Sequence, residues 1–216
     1  MRDVITIDGP SGAGKSTVSR LLAKKLGYRY LDTGALYRAV AWKVHAEGTD
    51  PESADALTGL LKKTRITCED KKVMVDGADV TTQIRTPEIG ELSSRLSAIP
   101  VVRKYLFEMQ RHIGLEGNVV IEGRDIGTVI FPESENKFFI DASPEERARR
   151  RYEELKNKGL DVSLYDILDG IKKRDRRDST RQSAPLKKTG SMVYVDTSSL
   201  SIDEVILNIM EALKTS

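Results

Sequence analysis

Short apolar runs alternate along this chain with longer stretches in which apolar residues return every three or four positions. Val4-Ile5-Thr6-Ile7 is a β-branched run closed by Asp8-Gly9-Pro10, the pattern of a buried strand ending in a tight turn. Behind it Val18, Leu21, Leu22 and Leu26 recur at helical spacing, and Gly27 stands where a helix stops. The same order returns at Val119-Val120-Ile121, which runs into Glu122-Gly123-Arg124-Asp125, and at Lys137-Phe138-Phe139-Ile140, which ends at Asp141. Ser143-Pro144-Glu145-Glu146 then supplies an N-cap, a proline at the first helical position and a reciprocal glutamate. Met192-Val193-Tyr194-Val195 predicts a further strand, and Ser201-Ile202-Asp203-Glu204 a capping box before a C-terminal helix. Strands alternating with helices predict an α/β fold: a parallel sheet flanked by helices and joined by right-handed crossovers.

One stretch breaks the alternation. Between about Arg65 and Ile84, Lys72-Val73-Met74-Val75 and Ala78-Asp79-Val80 flank Asp76-Gly77, a hairpin signal. A small antiparallel piece inside a βα series predicts an insertion on the parallel core. Helices follow, one capped near Thr86-Pro87 and the next after Pro100, with Val102, Leu106, Met109 and Ile113 on one face.

Gly9-Pro10-Ser11-Gly12-Ala13-Gly14-Lys15-Ser16-Thr17 matches G-x-x-x-x-G-K-[ST] in full, between a predicted strand and a predicted helix. Its glycines let the backbone curl so that successive N–H groups point at phosphate oxygens, at the positive end of the following helix. Lys15 is placed to reach the β- and γ-phosphates of a nucleoside triphosphate, and the Ser16 hydroxyl to hold Mg²⁺. The guanine-reading N-K-x-D of a GTPase is absent, and 216 residues leave little room for a motor. Phosphoryl transfer to a small acceptor is the reaction class that remains.

Composition narrows the setting. At 39% hydrophobic and 31% charged residues with a net charge of +2, nothing global attracts nucleic acid or a membrane surface, so any basic patch is local. Cys68 is the single cysteine, which excludes an intrachain disulfide and fits a reducing compartment. Met1 to Ile7 runs straight into a strand without the regions of a secretory signal, and no apolar run approaches the roughly 20 residues that cross a bilayer. A cytoplasmic protein is expected. His45, His112, Trp42 and Cys68 have no partners at catalytic or metal-ligand spacing and read as structural.

A kinase must hold two anions in line and cancel their repulsion. Arginines at the carboxyl ends of strands are therefore the candidates. Arg38 lies in Asp32-Thr33-Gly34-Ala35-Leu36-Tyr37-Arg38, just after a short apolar stretch, and Arg124 directly follows a strand. Lys172 to Arg181 holds six basic residues against two acidic ones, with Arg174, Asp178 and Arg181 at i, i+4 and i+7. Each also has a plainer reading: Arg38 a solvated helix residue, the basic run an exposed helix laced with Arg–Asp pairs, and Asp8, Glu122 and Asp125 loop caps.

These segments together resemble bacterial cytidylate kinase over most of the chain. The P-loop is generic; Thr33-Gly34-Ala35-Leu36-Tyr37-Arg38 and Gly123-Arg124-Asp125-Ile126-Gly127-Thr128-Val129 are far more specific, as is an insertion ahead of the latter. Phe139-Ile140-Asp141-Ala142-Ser143 and Arg174-Asp175-Arg176-Arg177-Asp178 extend the match. The resemblance implies a P-loop NTPase fold of the nucleoside monophosphate kinase type, transferring the γ-phosphoryl group of ATP to CMP or dCMP with Mg²⁺. It implies one domain over 1–216, an inserted acceptor-binding subdomain at about 63–100, and a lid at about 172–186. On matching positions, Gly9 to Thr17 hold ATP, and Arg38, Arg124 and Arg181, with Lys15, serve transfer as the clamp on the phosphates. Ser94, Arg103 and Asp125 read cytosine, Arg174 and Asp178 meet the sugar, and the Thr33 hydroxyl donates to a phosphate or a backbone group. Cytosine offers an amine donor and N3/O2 acceptors, which a carboxylate or hydroxyl and an arginine complement. A monomer without nucleic-acid or membrane partners is expected. Two other readings stay open, a P-loop kinase for another small acceptor such as shikimate and a nucleotide-dependent module binding RNA through residues 172–181.

Overall fold

The computed structural model describes residues 1–69 and 72–214. In chain order its strands and helices are β1 (Val4–Asp8), α1 (Lys15–Leu26), β2 (Arg29–Asp32), α2 (Thr33–Ala46), α3 (Ala54–Leu61), β3 (Ile66–Glu69), β4 (Lys72–Val75) and β5 (Ala78–Asp79). They continue with α4 (Pro87–Leu96), α5 (Pro100–Leu115), β6 (Val119–Gly123), β7 (Asn136–Asp141), α6 (Pro144–Asn157), α7 (Leu164–Thr180), β8 (Val193–Asp196) and α8 (Ile202–Ala212). Five strands form one sheet in the order β2-β6-β1-β7-β8, and the pairings of β1 with β6 and β7, and of β7 with β8, are parallel. The α/β expectation is met.

The chain forms two compact units, Met1–Tyr30 with Gly114–Ser216, and Leu31–Ile113. In the first, β1 is buried along its whole length, which is why its sequence is β-branched on both faces. Ile5, Ile7, Val18, Leu22, Val120, Phe138, Ile140, Val205 and Ile209 share one core, with α1 and α8 packed on the sheet. The register sets Asp8 opposite Gly123 on one side and Phe139 on the other. The loops that leave β1 and β6 therefore start level with one another, at the carboxyl edge where open α/β sheets bind ligands.

Two details of the helical patterns differ from expectation. Leu21 is 39% exposed, because the buried stripe of α1 runs through Lys15, Val18, Ser19 and Leu22. The phosphate loop delivers Lys15 inward, and that fixes the rotation of the helix. In α5, Gln110 is buried between the half-buried Met109 and the rest of the stripe, its amide donating to the Leu106 carbonyl at 3.0 Å. A polar residue whose donor is satisfied within its own helix is invisible to an apolar pattern.

The second unit holds the antiparallel sheet β3-β4-β5. Asp76 and Gly77, with φ of 51° and 84°, make the turn that the Asp-Gly pair predicts. This unit begins at Leu31, upstream of residue 63, because α2 packs against α4, β4 and the 3-10 turn Gln83–Arg85.

After β6 the chain of the first unit makes a π-helical turn, Ile126–Ile130, and ends it on the fully buried Phe131. A Cβ at Gly114 would stand 2.1 Å from the Phe131 ring. Gly114→Ala is therefore expected to destabilise the fold by about 1–3 kcal/mol, lowering Tm by roughly 3–10 °C in a thermal melt. An unchanged Tm would contradict the packing around this turn.

Candidate active site

The phosphate-binding loop is shaped by contacts that only glycine permits. Gly9 has φ of 151°, and a Cβ there would lie 1.9 Å from the Ile140 carbonyl oxygen, so the loop leaves β1 pressed against β7. Gly12 and Gly14 have φ of 83° and 87°. The first turn of α1 carries no side-chain cap and no acidic residue, which leaves its N–H groups and its dipole for an anion. A cleft of about 330 Å³ opens there, lined by Gly12, Gly14, Lys15, Ser16 and Thr17 and by arginines of α6. Thr197, in the loop after β8, shares its one hydroxyl proton between the carbonyls of Ala13 and Asp141, 3.2 and 3.0 Å from Oγ1, and fastens the loop to the sheet.

Lys15 is 5% exposed, and its ammonium donates to the Pro10 carbonyl at 2.6 Å. Burial, then the positive charges of Arg124 and Arg174, pull its pKa down to about 7 against the opposing pull of Glu122 and Asp8. Asp8 accepts two backbone N–H bonds, from Ile126 at 2.9 Å and Gly127 at 2.8 Å. Burial nevertheless raises its pKa to about 6, with Asp125 adding to the rise and the two N–H bonds and Lys15 working against it. Of the open readings of Asp8, the fastening of a loop is thus the observed one. Glu122, at the end of β6, accepts from the Tyr30 hydroxyl.

Most of the expected arginines of the first unit meet carboxylates. Arg124 Nε donates to Asp178 Oδ2 at 3.0 Å, with Arg174 Nε at 3.9 Å from the same oxygen. Burial alone would raise the Asp178 pKa, but Arg124 and Arg174 outweigh it and hold the carboxyl below its usual range. Arg181 NH2 donates to Asp125 Oδ1 at 3.2 Å, and both side chains are nearly buried. Arg181 does not continue the helical face of Arg174 and Asp178. α7 ends at Thr180, and Arg181 caps it with extended φ and ψ of −60° and 141° while Nε donates to the Ala184 carbonyl at 2.8 Å. The basic run divides by face: Lys172 and Lys173 point outward to Glu145 and Asp169, whereas Arg174 and Asp178 point inward. Residues 182–186 fold back, with the Leu186 N–H donating to the Asp178 carbonyl at 2.8 Å.

The other expected residues belong to the second unit. Thr33 is buried in the first turn of α2, behind the Asp32 cap, whose carboxylate accepts from Ala35 N at 3.0 Å. Arg38 donates to the Ile84 carbonyl at 3.1 Å and lies flat on α4, where a Cβ at Gly90 would meet its guanidinium at 3.0 Å. Ser94 is buried in α4, and Arg103 donates to the Ser97 carbonyl at 3.2 Å with its guanidinium 6.0 Å from the Tyr37 ring centre. Sequence reasoning missed Arg147 of α6, 3% exposed and bonded to the Ser11 and Ala142 carbonyls. Its segment, Pro144-Glu145-Glu146-Arg147-Ala148-Arg149-Arg150-Arg151, looks like a solvated charged helix, and only the small Ala148 beside it marks an inward face.

Among the described residues no group of three or more His, Cys, Asp or Glu side chains could hold a metal. Mg²⁺ keeps several waters and takes its other ligands from phosphates and one or two protein oxygens. Ser16, exposed at the mouth of the loop, is such an oxygen.

Comparison with known proteins sets this geometry in a family. A model of cytidylate kinase matches residues 5–215. A cytidylate kinase of Carboxydothermus hydrogenoformans is 49% identical over 97% of this chain and 96% of its own. Another, from Caldanaerobacter subterraneus subsp. tengcongensis, is 48% identical over 97% and 94%. A solved structure of an uncharacterised protein from Eubacterium ventriosum shares the fold at a TM-score of 0.57 and 14% identity, covering 99% of each chain.

The buried Lys15 makes a pH-dependent prediction. Its folded pKa, about 7, lies below the ordinary 10.5, so its charge opposes folding fully below pH 7 and ceases to do so by about pH 10.5. Lys15→Met is expected to raise Tm by a few degrees at pH 6.5, and to lose that gain by about pH 10.5. A lower Tm for the variant at both pH values would contradict the stated cost of the charge.

Proposed function

The chain belongs to the cytidylate kinase family, and from that premise we propose that it transfers the γ-phosphoryl group of ATP to CMP or dCMP, giving ADP and CDP or dCDP. The observation that carries the reading is the phosphate-loop Lys15 lying within the charge of Arg124, together with the pairs Arg124–Asp178 and Arg181–Asp125. Both pairs hold guanidinium groups at the carboxyl edge of the sheet. An incoming phosphate offers each arginine a second acceptor, and the planar fork can grip two oxygens at once.

Residues 9–17 cradle the ATP phosphates, with Lys15 on the β- and γ-phosphates and Ser16 on Mg²⁺. The metal, when bound, neutralises charge that builds between the β- and γ-phosphates. Arg38, Arg124 and Arg181 clamp the acceptor phosphate and the group in flight. Ser94, Arg103 and Asp125 read the cytosine edge, Arg174 and Asp178 meet the sugar, and Thr33 supports the phosphate end. Asp178 is suited to its role because its carboxyl stays ionised, an acceptor for a ribose hydroxyl. Residues 63–100 serve the acceptor, and residues 172–186 act as a lid. The enzyme works as a cytoplasmic monomer. Its one thiol, Cys68, is unreactive there because burial pushes its pKa up to about 11. Among the described residues no helix is long and apolar enough to cross a membrane.

An acceptor panel with ATP and Mg²⁺ tests the assignment. CMP and dCMP are expected to exceed AMP and GMP by about 10²-fold or more in kcat/KM, since a purine leaves the cytosine-reading groups unpaired. Equal turnover of AMP would contradict it. Within the same assay, Arg181→Lys should lower kcat by about tenfold or more while ATP binding without acceptor barely changes. Full kcat in that variant would remove Arg181 from the clamp.

A further inference from the structure

Arg147 is among the α6 arginines that line the phosphate cleft, and it is one of the most fully used side chains in the first unit. It is 3% exposed, and all three of its guanidinium nitrogens donate. Nε donates to the Ala142 carbonyl at 2.8 Å, in the link between β7 and α6. NH1 donates to the Ser11 carbonyl in the phosphate loop and to Asp175 Oδ1, both at 3.1 Å. NH2 donates to Asp175 Oδ2 at 2.6 Å, completing a two-point grip on that carboxylate. A Cβ at Gly12 would meet Arg147 Cβ at 3.3 Å, so the loop is also packed directly on the stem of this side chain.

One guanidinium thus touches two separate structures. Ser11 lies midway round the loop that cradles ATP. Asp175 lies on α7 between Arg174 and Asp178, in the last two turns before the cap at Arg181. The guanidinium is rigid and planar, so a shift of the Ser11 carbonyl must tilt it, and the tilt loads the bidentate bond to Asp175. A lysine could reach one of these partners but could not span both with a fixed geometry.

We propose that Arg147 and Asp175 are positioning residues that couple the two nucleotide sites, so that filling the phosphate loop sets α7, with Arg174, Asp178 and Arg181, for the acceptor. The coupling rests on the assignment of those three residues to the acceptor. It predicts reciprocity, because a donor that tightens acceptor binding must itself be tightened by the acceptor to the same degree. Neither residue needs to touch a nucleotide for this to hold.

Calorimetric titration of the full-length enzyme with CMP, in the absence and presence of saturating non-hydrolysable ATP analogue and Mg²⁺, measures the coupling directly. In the wild type the analogue is expected to tighten CMP by about fivefold or more. Asp175→Asn, which keeps size and shape at a residue 25% exposed, should bring that ratio close to one while Tm stays within a few degrees. Arg147→Lys should do the same, and the double variant should lose no more coupling than either single one. A wild-type ratio near one, or an undiminished ratio in both single variants, overturns the proposal. A large fall in Tm for both with the ratio intact in the folded protein does so too, and leaves Arg147 as a core residue only. Failure of wild type to bind CMP at all would instead contradict the acceptor assignment, so the two ideas fail separately.

Discussion

A cluster of buried and half-buried positive charge must be held together, and the first unit is organised around that constraint. Lys15, Arg124, Arg147, Arg174 and Arg181 would repel one another and lose hydration if left alone. Taking such a charge out of water unpaired costs on the order of several kcal/mol. The chain answers with carboxylates of graded burial: Asp178 for Arg124 and Arg174, Asp175 for Arg147, and Asp125 for Arg181. Lys15 has only the Pro10 carbonyl as a direct hydrogen-bond acceptor in the loop, with Glu122 and Asp8 acting on it as nearby charges. It is correspondingly the group whose charge is least well supported, and the one for which a phosphate would do most.

The fold exists, in this view, to bring the ends of a few strands level. The register of β1 with β6 and β7 places the phosphate loop beside the turn that carries Arg124 and Asp125. Asp8, the last residue of β1, then ties that turn down through the N–H groups of Ile126 and Gly127. Gly9 permits the close passage along β7, and Thr197 and Arg147 fix the loop from its outer side. Each of these contacts positions a cation or a donor before the nucleotide binds, so the reorganisation that would otherwise oppose transfer is already made.

Much of this was legible in the amino-acid order because it is local. The β-branched run of β1, the glycines of the loop, the Asp-Gly turn and the caps at Ser143 and Ser201 act within a few residues, and the chain spells them out. Arg38, Arg124 and Arg174 were found because their neighbours form specific strings. What escaped the sequence is what depends on distant partners. Leu21 faces solvent because Lys15 must face inward, and Gln110 is buried because its own helix satisfies its amide. Arg181 leaves the face of α7 for Asp125, a residue 56 positions away. Arg147 was hidden in a charged helix whose other arginines pair with glutamates on the surface, and no periodicity separates it from them.

If burial, with the neighbouring arginines, is what opposes the charge on Lys15, its protonation must respond to what fills the site. NMR titration of the Lys15 side chain, in enzyme carrying isotope-labelled lysine, reads that response on the group itself. A pKa near 7 is expected without nucleotide, and a rise to above about 9 once ATP and Mg²⁺ supply negative charge. An ordinary lysine value of about 10.4 in the empty enzyme, or a low value that does not move when ATP binds, would contradict it.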